Sequence, residues 1–289
     1  YKVYVTGSNA KMLSKEVATT LGGRFFIYDA YPYSFREYLA AQQVNLEQHW
    51  MYDTVQRSQV KRHLNDYFYY GGLPEILSFQ NKRSMLSSLY QKIYLGDICA
   101  RNNIKSDRVL NILIKKMAES VKQPLSFNRL KNVIVATGAP ISVPTTIDYV
   151  DYASDSWLIL PMENEVGKLT EKEMQKKYYF VDNGLLNLFL MNSETSLLEN
   201  MVAVELCRRF GKNNVFFLNA EKEIDFIVPD QKLALQVSYT IKEEATYNRE
   251  VPPLVKYAKA HPDWQCLLIA YDEESTAEGI PVVPVWKWL

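Results

Sequence analysis

The sequence predicts an α/β protein of several domains, and three observations support this class. The chain has 289 residues, of which 47% are hydrophobic and 23% are charged, a balance typical of globular proteins. Short β-branched runs that indicate strands occur near the start and again in the last third of the chain. Between them, apolar residues recur at the three-to-four-residue spacing of helices. A chain of this length has room for two or three domains with substantial cores.

Residues 1 to 40 are predicted to form a strand, a helix and a second strand. The first strand covers Tyr1 to Val5, the helix runs from Ala10 to Leu21, and the second strand covers Arg24 to Tyr28. Two strands do not make a stable sheet without neighbours. We therefore expect this α/β fragment to expose apolar edges unless further strands pair with it.

Residues 41 to 100 are predicted to be helical. Apolar residues recur at helical spacing around Trp50 and again around Leu89. The segment Gly71-Gly72-Leu73-Pro74 separates the two stretches, because glycine and proline interrupt helices. The aromatic run from Tyr67 to Tyr70 is of a kind that stacks on bases, but we favour its interpretation as a helix end packed into a core.

The element order over residues 101 to 175 predicts a winged-helix domain. Three helices are expected, at 108–121, 126–137 and 142–155, followed by a strand at 157–162. Domains of this type often place the third helix in the major groove of DNA. Here that helix has no lysine or arginine and presents three carboxylates, which is a poor surface for phosphates. The three residues are Asp148, Asp151 and Asp155.

Residues 176 to 289 resemble the restriction-endonuclease-like fold. A helix predicted at 196–210 precedes strands predicted at 215–218, 223–228 and 233–238. The active site of that fold combines a helical glutamate, an aspartate after a strand turn, and Glu/Gln-x-Lys on the next strand. Such a site holds Mg²⁺ through carboxylate oxygens, and its lysine stabilises developing negative charge.

The nuclease-like site of this chain is predicted to be degenerate. Glu205, Asp225 and Gln236 match the first three positions, but Ser238 stands in the lysine position. With Glu223, the site retains three carboxylates, and Glu205 and Asp225 are the candidate Mg²⁺ ligands. Without the lysine we expect no catalysis. We favour the interpretation that the domain is an inherited scaffold in which these acids have structural roles.

The first forty residues resemble the signature TGS…GR…PLSF-x-E of a bacterial and archaeal family of AAA-type ATP-binding proteins. The matching segments are Thr6-Gly7-Ser8, Leu21-Gly22-Gly23-Arg24 and Tyr31-Pro32-Tyr33-Ser34-Phe35-Arg36-Glu37-Tyr38, and two later segments are also typical of the family: Gly71-Gly72-Leu73-Pro74-Glu75 and Lys177-Tyr178-Tyr179-Phe180-Val181-Asp182-Asn183-Gly184. The resemblance covers most of the chain. It implies a fold in which a P-loop ATPase core is followed by the regions described above.

The same resemblance implies ATP and Mg²⁺ as ligands of the intact protein. Thr6 or Ser8 would orient the attacking water, and Arg24 would stabilise charge on the γ-phosphate. The alternative for Thr6 and Ser8 is that they cap the helix that follows. The alternative for Arg24 is an ion pair with Asp29 or Glu37.

The chain contains no G-x-x-x-x-G-K-S/T sequence, the motif whose backbone N–H groups cradle nucleotide phosphates. The segment Leu267 to Glu273 has the form of a Walker B strand, but with no P-loop upstream we predict an ordinary buried strand. The resemblance implies that both ATPase motifs precede Tyr1. We therefore expect this chain alone neither to bind ATP tightly nor to hydrolyse it.

Charge and cysteine content limit the partners and the location that we expect for the chain. The 33 basic and 33 acidic residues cancel, so there is no overall attraction to nucleic acid or membrane. Three widely spaced cysteines argue against a disulfide framework and for the cytoplasm. No apolar run reaches the length of a membrane span, no signal peptide is visible, and the three histidines fit no zinc spacing.

Two functions are consistent with the sequence. The first is the C-terminal portion of an ATP-dependent switch, in which the winged-helix and nuclease-like domains respond to nucleotide and engage a partner. The second is a metal-dependent nuclease or DNA-binding protein that acts through residues 176–289. DNA, another protein and a second copy of the chain all remain open as partners.

Overall fold

Polar side chains cap the helices and fix where they begin. The structure, a computed structural model, describes residues 4, 24, 26–104, 107–220 and 223–289. Ser34 accepts a hydrogen bond from Glu37 N, and Glu37 binds back to Ser34 N, which is a capping box. Ser126 and Ser142 cap later helices through their hydroxyl groups. The helices are α1 Phe35–Ala41, α2 Thr54–Tyr70, α3 Lys82–Gln91, α4 Asp107–Glu119, α5 Phe127–Ala136, α6 Val143–Asp155, α7 Leu169–Met174, α8 Asn183–Asn187, α9 Glu194–Phe210, α10 Glu244–Ala260 and α11 Val285–Trp288.

The strands form two sheets. A three-stranded antiparallel sheet has the order β1-β3-β2, and a six-stranded mixed sheet has the order β4-β5-β6-β7-β9-β8. The strands are β1 Leu125–Ser126, β2 Ile159–Met162, β3 Gln175–Phe180, β4 Phe216–Asn219, β5 Glu223–Val228, β6 Leu233–Ser238, β7 Gln265–Ala270, β8 Ser275–Ala277 and β9 Ile280–Pro284.

The region from residue 41 to residue 100 is helical, as the sequence predicts. Helix α2 ends at Gly71, whose φ of 76° suits a residue without a side chain. Helix α3 continues into a π-helix over Lys92–Ala100. Tyr67 and Phe68 are buried, which confirms that the aromatic run packs into the core.

Helices α4, α5 and α6 pack beside the small sheet. The three predicted helices and the predicted strand are all present. Strand β3 returns antiparallel to β2, with Tyr179 opposite Leu160. It also pairs with β1. The central strand of the sheet, β3, is therefore the last of its three strands along the chain.

The large sheet lies between two helices. Strands β4, β5 and β6 are antiparallel, whereas β6, β7 and β9 run parallel. Leu235 and Ile269 on one face belong to the same core as helix α9. Ala234 and Leu268 on the other face pack with Leu254 of α10. This alternation places α9 and α10 on opposite faces.

One hydrophobic core joins most of these elements. It extends from Phe35 in α1 through the helices of the middle region to Leu289. A second, smaller cluster lies under α10. The segments that the sequence divides into regions are thus packed against one another.

The described part of the strand expected from Arg24 to Tyr28 is not a strand. Residues 24 and 26–28 have no strand structure, because no neighbouring strand pairs with them among the described residues. Phe26 and Tyr28 are 89% and 86% exposed, as expected for an unpaired apolar edge. The first predicted strand, apart from Tyr4, and the predicted helix lie outside the described residues.

The Walker-B-like segment forms the buried strand β7, as predicted. It lies between β6 and β9 and ends at Ala270. Asp272 beyond it accepts a hydrogen bond from Trp286 and pairs with Lys61. Among the described helices, none combines the length and the apolar character needed to cross a bilayer.

Candidate functional site

A buried lysine lies at the centre of three carboxylates. Lys177 on β3 has no exposed surface. Its Nζ lies 3.1 Å from Glu199 Oε1, 2.8 Å from Glu223 Oε1 and 3.5 Å from Asp225 Oδ1. We call these four residues the Lys177 cluster. It joins the small sheet, helix α9 and the large sheet at one point.

Each element of the cluster follows from the local fold. Glu223 and Asp225 are two apart on β5, so their side chains share one face of the sheet. Glu199 projects from α9, which covers that face. Lys177 reaches the same point from β3, and its Nζ also lies 5.6 Å from the ring centre of Phe217.

The buried polar atoms around the cluster have partners. The Tyr179 hydroxyl donates to Glu199 Oε1 at 2.8 Å. Asp225 Oδ2 accepts from Val237 N at 2.9 Å. The side chain of Gln236 accepts from Asp225 N at 3.4 Å and donates to Glu250 at 2.5 Å. This network meets the hydrogen-bonding needs that burial imposes.

The charges of the cluster shift one another's titration. Burial by itself lowers the pKa of Lys177, but Glu199, Asp225 and Glu223 outweigh it and raise that pKa above its usual range. Burial, aided by Glu199, raises the pKa of Asp225 well above normal against the opposing effect of Lys177. The lysine is therefore an ammonium, and it supplies the positive charge that the carboxylates require.

Asp225 N donates to the side chain of Gln236 at 3.4 Å, and Glu223 lies two residues before Asp225 on the same strand. Ser238 is buried, and its hydroxyl donates to Thr240 O at 2.8 Å. It lies on the same face of β6 as Gln236. A lysine does pair with Asp225, but it is Lys177 of β3 and not the residue at position 238.

Glu205 differs from its expected position. It pairs with Arg208 and Arg209. It follows Glu199 by six residues, roughly 240° around the helix and about 9 Å along its axis. Glu199, not Glu205, is therefore the helical carboxylate that faces Asp225.

The proposed Mg²⁺ pair is consequently not assembled. Asp225 interacts with Lys177 and with Val237 N, whereas Glu205 is engaged by two arginines. Across residues 26–104, 107–220 and 223–289, no group of three or more His, Cys, Asp or Glu side chains is arranged to hold a metal ion. The ammonium lies where the carboxylates converge.

The three residues predicted to sense nucleotide are only partly described. Thr6 and Ser8 lie outside the described residues, and Arg24 is exposed. Its two alternative partners are engaged elsewhere, since Asp29 pairs with Lys212 at 3.3 Å and Glu37 caps α1. An ion pair of Arg24 with either residue is thus not favoured.

Sequence reasoning missed Lys177, Glu199 and Tyr179 as site residues. The available signal was a lysine directly before the aromatic and apolar run Tyr178 to Val181. A lysine within a buried strand needs a charged partner. The sequence alone did not identify that partner.

A second buried carboxylate joins two of the quoted segments. Asp182 accepts hydrogen bonds from Gly72 N at 2.7 Å, Gly184 N at 2.8 Å and Leu185 N at 3.3 Å. Burial raises its pKa to about 6, although these backbone donors oppose the shift. We call this contact the Asp182 latch. It fastens the helical region to the segment that follows the Lys177 strand.

The three cysteines, Cys99, Cys207 and Cys266, are unbonded, as their spacing predicts. Burial raises the pKa of the Cys207 thiol to about 12. That thiol is therefore protonated at neutral pH and is a poor nucleophile.

Comparison with known proteins connects the chain to uncharacterized relatives. A family model described as an AAA domain matches residues 1–39, and one described as a domain of unknown function, DUF8612, matches residues 61–196. The second match contains Lys177 and both sides of the Asp182 latch. The first agrees with the ATPase resemblance of the N-terminal segment.

Two relatives align over nearly the whole chain. An uncharacterized protein of Methanocaldococcus jannaschii is 29% identical over 310 residues, covering 100% of this chain and 68% of that protein. An uncharacterized protein of Haemophilus influenzae is 30% identical over 297 residues, covering 99% of this chain and 70% of that protein. No solved structure matches the chain.

Proposed function

We propose, from the premise that this chain belongs to the family of the uncharacterized Haemophilus influenzae protein, that it is the C-terminal portion of an AAA-type ATPase acting as an ATP-dependent switch. In this proposal ATP and Mg²⁺ bind upstream, and the remaining domains respond to the nucleotide in the cytoplasm. The AAA-domain match over residues 1–39 supports the ATPase half.

The observation that carries the proposal is the attachment of the AAA-matched segment to the rest of the fold. The match ends at residue 39, inside α1. Tyr33 N donates to Gly72 O at 2.8 Å, and Pro32 O accepts from Arg208 at 2.8 Å. A movement in the ATPase core that displaces this segment would therefore reach both the helical region and α9 through these contacts.

The nucleotide roles of Thr6, Ser8 and Arg24 remain part of this proposal. Thr6 or Ser8 would orient the attacking water, and Arg24 would stabilise the γ-phosphate. The exposure of Arg24 is compatible with a ligand, or a second copy of the chain, approaching it.

The middle domain is proposed to be a winged helix. The order helix, strand, helix, helix, strand, short helix, strand, with the last strand in the centre of the sheet, supports this assignment. Asp148 and Asp151 are exposed on α6, the helix that would enter a DNA groove. We therefore propose a protein partner for this domain, because carboxylates repel phosphates.

The C-terminal domain is proposed to be restriction-endonuclease-like without nuclease activity. A helix, three antiparallel strands, a second helix and a parallel strand follow one another in that order, which supports the fold. The Lys177 ammonium occupies the point at which a divalent cation would bind. The domain is then a scaffold in which a tethered cation replaces Mg²⁺.

Hydrogen–deuterium exchange on the full natural protein tests the switch. We expect Mg·ATP, compared with Mg·ADP, to change amide protection in residues 31–41 and in α9. Substitution of Arg24 by glutamine should reduce that difference while nucleotide still binds. Identical exchange patterns in saturating ATP and ADP would overturn the proposal.

A metal-dependent nuclease is the second candidate, because three carboxylates converge at the Lys177 cluster. A Mg²⁺-dependent DNA cleavage assay separates it from the switch. We expect no cleavage by the native chain. The double variant Lys177→Ala, Ser238→Lys returns the lysine to β6 and should gain weak cleavage if the geometry persists. Cleavage by the native chain that disappears in Asp225→Ala would establish the nuclease instead.

A further inference from the structure

Three arginines and one glutamate meet where α1, α9 and α11 come together. Glu205 on α9 accepts hydrogen bonds from Arg208 and, at 2.7 Å, from Arg209. Arg36 on α1 approaches the same place. We call these four residues the arginine junction. None of them takes part in the Lys177 cluster.

The arginines of the junction bind main-chain oxygens on neighbouring elements. Arg208 donates to Pro32 O at 2.8 Å. Arg209 donates to Trp288 O at 2.9 Å and to Leu289 O at 3.1 Å. Arg36 also donates to Leu289 O, at 3.1 Å.

These contacts form a closed ring of three elements. The segment before and within α1 is joined to α9 through Arg208 and to the C-terminal residues through Arg36. Helix α9 is joined to those residues through Arg209. Any displacement of one element therefore strains contacts with both of the others.

Glu205 forms ion pairs with two of these arginines, Arg208 and Arg209. It is 6% exposed, so water screens its attraction to the two guanidinium groups only weakly. Without its charge, Arg208 and Arg209 would both lose the carboxylate with which they pair. A guanidinium keeps its charge, so the strain would be relieved by movement and not by loss of a proton.

Aromatic rings hold the guanidinium groups in place. Arg209 Cζ lies 4.4 Å from the ring centre of Trp288, and Arg208 Cζ lies 5.7 Å from that of Tyr31. Such stacking restricts the side chains and favours a single arrangement. The junction is thus suited to transmit a displacement.

We propose that Glu205 is a positioning residue that couples the AAA-matched segment ending in α1 to the C-terminal residues Val285–Leu289. It acts by orienting Arg208 toward the AAA-matched segment and Arg209 toward the C-terminal residues. This coupling is a property of the chain itself and does not require nucleotide.

Hydrogen–deuterium exchange without nucleotide tests the coupling independently of the switch. Arg208→Gln removes the contact with Pro32 O but touches no C-terminal residue. We nevertheless expect faster exchange both in residues 31–41 and in residues 281–289, by at least about threefold, the size typical of coupled ion pairs. Arg209→Gln removes the contacts with Trp288 O and Leu289 O. It should likewise speed exchange in both segments, because coupling is reciprocal.

The matched control is Arg129→Gln, which changes an exposed arginine on α5 and should alter neither segment. Glu205→Gln, a nearly isosteric change, should loosen both segments and provides a second variant if an arginine variant fails to fold. Exchange that rises only in the segment directly contacted by the changed arginine would overturn the proposal. So would a Glu205→Gln protein with native exchange in both segments.

Discussion

The ammonium of Lys177 lies 3.1 Å from the carboxylate of Glu199, and both side chains are almost completely buried. A buried pair of this kind is a weak source of net stability, but losing one partner is costly because the other charge remains without compensation. In this protein the lysine also compensates Glu223 and Asp225. Loss of one partner is therefore expected to weaken the interface between β3, α9 and β5.

Lys177→Met is expected to destabilise the fold by about 3–5 kcal/mol at neutral pH, the cost of leaving buried carboxylates unpaired. Urea unfolding measures this loss. The matched control is Lys176→Met on the same strand. Lys176 pairs with Glu163 and Glu173, which are 39% and 62% exposed, so its removal should cost less than about 1 kcal/mol.

The loss caused by Lys177→Met should also depend on pH. Without the ammonium, the native carboxylates favour the protonated form, so their native pKa values rise. The stabilisation that protonated carboxyl groups give to the native state is then lost as the pH increases. The destabilisation should be larger at pH 8 than at pH 5. Equal losses at both pH values would contradict an electrostatic role.

Asp182→Asn is expected to change the pH dependence of stability through one buried group. The native pKa of Asp182 is about 6, against an ordinary value of 3.8. The stabilisation that comes from this raised pKa is fully present below pH 3.8. It is lost as the pH rises through about 6, a change in the free energy of unfolding on the order of 2–3 kcal/mol. The native chain should therefore lose stability relative to the variant between pH 4 and 6.

Urea midpoints of the two proteins measured across that range provide the test, because titrations shared by both cancel in the difference. The variant should also lose part of the latch, since an amide NH₂ replaces an oxygen that accepts from Gly72 N or Gly184 N. A pH-independent difference would show that Asp182 titrates normally.

Gly71→Ala is expected to open the Asp182 latch. A Cβ at this position would lie 2.0 Å from Asp182 Oδ1, and the residue has a φ of +76°. Both the clash and the backbone strain predict a loss above about 2 kcal/mol. Gly96→Ala is the control, because a Cβ there meets nothing within 4 Å. Thermal unfolding that gives equal shifts for both variants would argue against the latch.

Sequence patterns predicted the local elements well and the long-range contacts poorly. The alternation in Glu223–Val228 indicated a strand at the bounds observed, and the helix containing Glu199 and Glu205 was also predicted. Which glutamate faces β5 depends on how α9 is rotated on the sheet, which apolar spacing does not specify. The charge that completes the site comes from Lys177 on a different sheet.

The secondary structure of two other segments could not be predicted from their composition. Helix α10 contains Pro252 and Pro253, residues that ordinarily argue against a helix interior. The apolar run at Phe26 to Tyr28 has strand composition but no neighbouring strand among the described residues. In both cases tertiary context, not local preference, decides the structure.

We propose that nucleotide acts on this fold from an ATPase core upstream of it. Calorimetric titration of Mg·ATP, into the 289-residue chain and into the full natural protein, tests it most directly. We expect no saturable binding by the 289-residue chain, because it has no P-loop sequence to hold the phosphates, and saturable binding by the full protein. Micromolar binding by the 289-residue chain, or none by the full protein, would contradict it.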